Sequence, residues 1–260
     1  MEKIFWEAAN GGKVEEVKDI LRKNPSLNVN WKNEERSAST ALVAACWNGH
    51  YSVVSILLAH PGIDPNLKNK NGDTPFMIAC YSGNTSCVRL LLQDLRVIGN
   101  EPDNEGETPL YWVASNGHQD VIKWWIASGR EMDLGTPGDI FKTDAIGTAR
   151  QKRKTEVVSL LQRFKSDPTK TRHAIRVELG LLDELATGVL ALVVFVSDGL
   201  LQINDTTTTT PSPAARFFSI ATQLPLELQM VLCFRQVGSV KEIISGKNSE
   251  AAFKYLAKRI

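Results

Sequence analysis

Three threonines, Thr40, Thr74 and Thr108, stand 34 residues apart, and each opens the same phrase. "TALVAACWNGHYSVVSILL" begins at 40, "TPFMIACYSGNTSCVRLLL" at 74 and "TPLYWVASNGHQDVIKWWI" at 108. A fixed period of this length restricts a chain to a repeat architecture. One such unit cannot bury its own apolar face, so copies must stack and bury each other's.

Each part of the phrase has a mechanical reason. Thr followed by Pro opens a helix, because a proline in the first turn gives up an N–H that has no partner there anyway. Small residues follow, Ala44-Ala45 and Ala79-Cys80, and let that helix lie close to its neighbours. Gly49, Gly83 and Gly117 end it, since glycine accepts the left-handed conformation at a helix C-terminus. A second helix is predicted from apolar residues at helical spacing: Val53, Val54, Leu57 and Leu58 in one copy, Val88, Leu90, Leu91 and Leu92 in the next. The links "DPNLKNKNGD" and "EPDNEGE" read as hairpin turns.

Period, Thr-Pro, glycine and Val/Leu positions together resemble the ankyrin repeat. Two flanking copies extend the match. "IFWEAANGGKVEEVKDIL" keeps Ala8, Ala9, Gly12, Val17, Ile20 and Leu21 but has no Thr-Pro. "TDAIGTARQKRKTEVVSLL" keeps Thr143, Ala149, Val157, Val158, Leu160 and Leu161, lacks the glycine and carries one extra residue. The resemblance implies an all-α solenoid of helix pairs with short hairpin turns. Its five repeats fall at about 2–34, 35–68, 69–102, 103–137 and 138–166, in a domain spanning 1–166. Deviant end repeats are expected where one face has no neighbour.

The period stops after "KSDPTK", and residues 167–260 read as a helical C-terminal domain. A helix is predicted over 172–203, with Ile175, Leu179, Leu182, Ala186, Val189, Val193, Val196 and Leu200 on one stripe. Its charge-free apolar core, Val189 to Val196, is too short for a bilayer. "NDTTTTTPSP", 204–213, reads as a flexible loop, and about four short helices follow. Within them "LPLELQMVL", 224–232, resembles the opening of an F-box through Leu224, Pro225, Glu227 and Leu228. That resemblance implies an alternative function, substrate adaptor of a cullin-type ubiquitin ligase, with the ligase's linker subunit as a partner. The competing reading of the segment is ordinary helix-start chemistry.

No metalloprotease, nucleophile-elbow, Walker or dinucleotide motif is present. His50 and His118 follow the repeat glycine and are expected to serve hydrogen bonding within the stack. His60 and His173 stand alone. No pair among Cys46, Cys80, Cys87 and Cys233 has metal-ligand spacing, and Cys46 and Cys80, at one position of the repeat, read as small buried thiols. The expectation is a non-enzyme with no cofactor, no metal and no small-molecule substrate. Residues 1–168 carry 20 basic and 21 acidic side chains, and the remainder 10 and 8, so neither a nucleic acid nor a membrane is the expected partner. "MEKIFWEAANGG" lacks the apolar core of a secretion signal, so the sequons at Asn84 and Asn204 read as chance and the location as cytoplasmic. The basic run "RQKRK", 150–154, leaves a nuclear location open.

The resemblance to the ankyrin repeat implies another protein as partner, bound on the concave face of the stack. The resemblance puts the contacting side chains at the turn tips and first-helix ends. The candidates are Arg36, Lys68, Lys70, Glu105 and Glu107 at the tips, and Trp47, Asn48, Tyr81, Ser82 and Asn116 at the helix ends. Trp47 and Tyr81 hold equivalent positions and should sit side by side. The tips change sign along the stack, from Lys68 and Lys70 to Glu105 and Glu107, which would orient a partner. Trp124 and Trp125 replace the Leu-Leu of the second helix and read as core; Trp6, Trp31 and Trp112 suggest no role.

Overall fold

A computed structural model describes residues 1–136 and 144–182, together with 186, 189–193, 217, 221, 229–230 and 232–233. Five helix pairs follow one another: α1 (Glu2–Asn10) with α2 (Val14–Lys23), α3 (Ala41–Trp47) with α4 (Tyr51–Ala59), α5 (Pro75–Tyr81) with α6 (Thr85–Gln93), α7 (Pro109–Asn116) with α8 (Gln119–Ser128), and α9 (Ala145–Gln151) with α10 (Thr155–Ser166). The first helices of successive pairs pack on one another, as do the second helices, in two parallel rows.

The helix starts follow from side-chain chemistry. The Oγ1 atoms of Thr40, Thr74 and Thr108 accept from the amides of Val43, Met77 and Tyr111 at 3.3, 3.2 and 3.2 Å, and Pro75 and Pro109 open their helices. In the last pair Asp144 takes this part, accepting from the Gly147 amide at 2.8 Å. Thr143, expected there, lies outside the described residues. Gly12, Gly49, Gly83 and Gly117 all have positive φ. At Gly83 a Cβ would stand 2.6 Å from the His118 ring, so the close approach of the next repeat also requires glycine.

The first-helix row is buried through Phe5, Leu42, Phe76 and Leu110, with Ala9, Ala45, Ala79, Ala114 and Ala149 at its close contacts. Each large side chain removed from water contributes about 1.5–3 kcal/mol. On the second helices Val53, Val54 and Leu57 are buried, as are Val88, Leu91 and Leu92, while Leu58 and Leu90 are half-buried. All four cysteines are buried free thiols, and burial pushes Cys46 and Cys80 well up and Cys87 and Cys233 up to about 11. Trp125 is core, meeting Phe76 edge to face at 4.9 Å. Trp124 is not: it stays half-exposed with the Arg89 guanidinium 4.4 Å above its ring.

Adjacent repeats are also joined by repeated polar clasps. Asn30 gives its amide to the Gly62 carbonyl and accepts from Asp64 N, and Asn66 does the same with Arg96 O and Ile98 N. Arg96 reaches back to Leu58 O and Ile63 O, and Arg130, 34 residues later, to Asp94 O and Val97 O. The tips join main chain to main chain, Lys70 N to Ser37 O at 2.9 Å and Asn104 N to Asn71 O at 3.0 Å.

The links are the expected tight hairpin turns: Asn69 Oδ1 accepts from the amides of Asn71 and Asp73, and Asp103 Oδ1 from those of Glu105 and Glu107, and among the described residues the only bridge is Asn33 with Ser39. One expectation about local structure needs correction: 172–203 is not one helix. α11 (Pro168–Glu178) starts at Pro168, and Leu179–Gly180 then form a turn, with Gly180 at φ +69°.

The chain divides into two compact units, Met1–Arg172 and His173–Ile260. The first runs into α11 because Thr171 Oγ1 donates to Arg163 O and Arg172 Nε donates to Ile126 O. The second has its own core of Ala186, Leu190, Val193, Ala221 and Cys233, with Val189, Phe217, Met230 and Leu232 packed against it. Among the described residues no helix is long and apolar enough to cross a membrane. The 204–213 loop lies outside them.

Candidate functional site

The first helices end in a row, and that row carries two exposed aromatics. Trp47 is 52% exposed and Tyr81 38%. Their rings stack at 5.7 Å between centroids with 17° between planes. Trp112 joins them edge-on, 4.9 Å from Tyr81, and Tyr111 lies 5.3 Å beyond. Four aromatic rings from three repeats thus form one strip. The position equivalent to Trp47 and Tyr81 in the fourth repeat is Ser115, and the space that a serine leaves is filled by Trp112 from one turn earlier on α7. A spacing of three residues puts both on the same helix face.

The backbone beneath the strip is pinned by the next repeat along. The helix ends leave carbonyls without intrahelical partners. His50 Nε2 donates to Asn10 O at 3.0 Å, Asn84 Nδ2 to Cys46 O and Trp47 O at 2.8 and 2.9 Å, and His118 Nε2 to Tyr81 O at 3.0 Å. The histidines are stack fasteners, as their place in the repeat implied. Asn116 also donates to Tyr81 O, at 2.9 Å, and Asn48 donates to Asn10 Oδ1 and Ala44 O. Ser82 is half-buried at the α5 end. The site therefore has a rigid floor, on which exposed aromatic faces cost little ordering to bind.

The tips are less available than their charges suggested. Lys68 Nζ lies 2.7 Å from Glu101 and donates to Pro102 O; Lys70 lies 3.0 Å from Glu34. These pairs span neighbouring repeats, so the lysine charge is matched inside the stack. Glu107 is buried, only 4% exposed, because the Asp103 turn folds it under the tip. Burial removes Glu107 from the exposed charge of its tip, while Lys70 and Glu105 stay exposed on theirs. Arg36 and Glu105 are exposed.

Among the described residues no group of three or more His, Cys, Asp or Glu is placed to hold a metal. The geometry defines a repeat solenoid with a partly exposed aromatic strip.

Family comparison assigns the repeats. A model described as ankyrin repeats (3 copies) matches residues 61–136, and another, ankyrin repeats (many copies), matches 20–76. The stack is an all-α ankyrin-repeat solenoid, and ankyrin repeats are generally non-enzymatic modules of protein–protein interaction. None of the curated proteins compared with the chain matches it. Neither family match reaches the F-box-like segment, most of which lies outside the described residues; its Met230 and Leu232 pack against the second unit's core.

Proposed function

We propose that the first unit is a binding module that holds a protein partner on the concave face of the stack, anchored on Trp47, Tyr81 and Trp112. The observation that carries the reading is the exposed, mutually stacked pair Trp47 and Tyr81 on a backbone fixed from the next repeat. Aromatics with apolar faces and polar tips are the side chains that most often dominate interface energetics, particularly when clustered. Asn48, Ser82 and Asn116 supply polar groups at the same helix ends, Arg36 and Glu105 are exposed at the turn tips, and Lys68 and Lys70 pair with Glu101 and Glu34.

The test is photocrosslinking in the organism's own cell extract. A benzophenone amino acid in place of Tyr81 should crosslink to a defined protein, and the same group in place of the exposed Ser159 on α10 should not. Equal labelling from both positions would refute this face as the site.

A further inference from the structure

The turn that closes α9 departs from the equivalent turns before it. Lys154 N donates to Ala149 O just as His50 N does to Ala45 O, Asn84 N to Ala79 O and His118 N to Val113 O, which fixes the register. In that register Arg153 stands where Gly49, Gly83 and Gly117 stand, and it holds φ at +55°. An L-residue pays free energy for that conformation and glycine does not, so the arginine side chain is kept at a cost.

The same register makes Gln151 and Lys152 the counterparts of Trp47 and Asn48, of Tyr81 and Ser82, and of Ser115 and Asn116. One track along the first-helix ends therefore changes from aromatic, through polar, to basic. Arg150, Lys152 and Arg153 are exposed, and the Lys154 stem lies over Gly117, where a Cβ would meet it at 2.8 Å. None of these four cations has an ion-pair partner among the described residues. Lys68 and Lys70 have theirs in Glu101 and Glu34. The unmatched positive charge of the track is gathered at its last repeat.

We propose that the track receives an extended acidic peptide segment of the partner protein, an inference that rests on the binding face assigned above. An aromatic or large aliphatic side chain lies against Trp47, Tyr81 and Trp112, and carboxylates lie over Arg150, Lys152 and Arg153. Adjacent helices pack about 8–10 Å apart, so the two repeat steps from Tyr81 to the basic turn span about 16–20 Å, or roughly five to six residues of extended chain. A peptide fits better than a nucleic acid: residues 1–168 are balanced at 20 basic and 21 acidic side chains, and the unmatched cations occupy one end rather than a stripe.

The experiment selects random peptides of about 16 residues, long enough to span the track, displayed on phage, against the full chain. The enriched peptides should carry an aromatic or large aliphatic residue and an acidic cluster roughly five to six residues away. One enriched peptide is then synthesised and titrated against variants. Lys152→Glu with Arg153→Gly should weaken it about tenfold and flatten its salt dependence, since fewer charges are then matched. Arg153→Gly keeps the backbone geometry, so loss of binding would not reflect a broken turn, and a melting temperature no lower than the parent's verifies this. Peptides without acidic residues, no enrichment, affinity indifferent to the basic-turn variant, or tighter binding of a single-stranded oligonucleotide would each overturn the inference. If the basic-turn variant has no effect while Trp47→Ala with Tyr81→Ala abolishes binding, the aromatic site stands and only the acidic segment falls. If the acidic peptides bind regardless of the aromatic variant, the aromatic anchor itself fails.

Discussion

Trp47 and Tyr81, 34 residues apart in the chain, stack their rings 5.7 Å apart at 17° on the surface of adjacent repeats. The period causes the contact: equivalent positions of neighbouring units are brought side by side wherever the stack continues. The pair contributes little to the core, because Trp47 is about half exposed. In a double-mutant cycle, Trp47→Ala and Tyr81→Ala should couple by about 0.5–1.5 kcal/mol, the usual range for an aromatic pair. Urea denaturation of the four proteins measures it. Zero coupling would show that the rings do not hold each other in solution.

Removing a helix cap should cost about as much as removing the ring contact. Thr74→Ala leaves the Met77 amide without its 3.2 Å acceptor in a buried site. The expected loss is about 1 kcal/mol, read from the same denaturation curves. Thr74→Ser, which keeps the oxygen, should recover most of it.

The turn glycines and Arg153 should respond in opposite directions. Gly83→Ala puts a methyl 2.6 Å from the His118 ring at φ +69°, and should destabilise by more than 1 kcal/mol or so. Arg153→Gly removes an L-residue from φ +55° and should stabilise by about 1 kcal/mol. Thermal melts of the two variants check both signs, and a destabilised Arg153→Gly would mean that the side chain makes a stabilising contact.

The buried thiols give a pH dependence of known sign. Burial raises Cys87 from 9.0 to about 11 in the folded chain, and raises Cys46 and Cys80 in the same direction. Between those values the unfolded chain has already released protons that the folded chain keeps, so stability must fall as pH rises. The contribution is intact below the unfolded value and lost through about 9 to 11. Cys87→Ala should therefore narrow its stability gap to the parent protein over that window; a gap independent of pH would contradict the thiol's part in the fall. At neutral pH the native thiols should also react with a disulfide reagent only as fast as the stack opens.

Much of this architecture can be read before any coordinates, and the reason is physical. Thr40, Thr74 and Thr108 cap helices, Gly49, Gly83 and Gly117 hold positive φ, and the alanines mark close helix contacts. Few other residue types meet those demands, so the backbone geometry leaves its signature in the residues. The Trp47–Tyr81 contact is legible for the same reason. Trp112 is not read as part of the strip, because it lies outside their column and enters from one helical turn earlier; its spacing of three residues from Ser115 is the signal that finds it. The charges of Lys68 and Lys70 look free along the chain, since their partners Glu101 and Glu34 are 33 and 36 residues away. Glu107 reads as a tip residue until the Asp103 turn buries it. For the two lysines the neighbouring repeat decides the outcome, and for Glu107 the fold of its own turn does. The second unit has no period, so sequence pattern offers less purchase there, and the Leu179–Gly180 turn cuts an apolar stripe that suggests one helix.

The most direct test of the binding face is the affinity of the crosslinked partner, once identified, for the parent chain and for the Trp47→Ala/Tyr81→Ala variant. Interface aromatics of this kind are typically worth about 2 kcal/mol or more each, which corresponds to roughly a 30-fold loss for one and more for both. The predicted result, from calorimetric titration, is a loss of at least that size with a melting temperature close to the parent's. An unchanged affinity in a folded variant would contradict the assignment of this face.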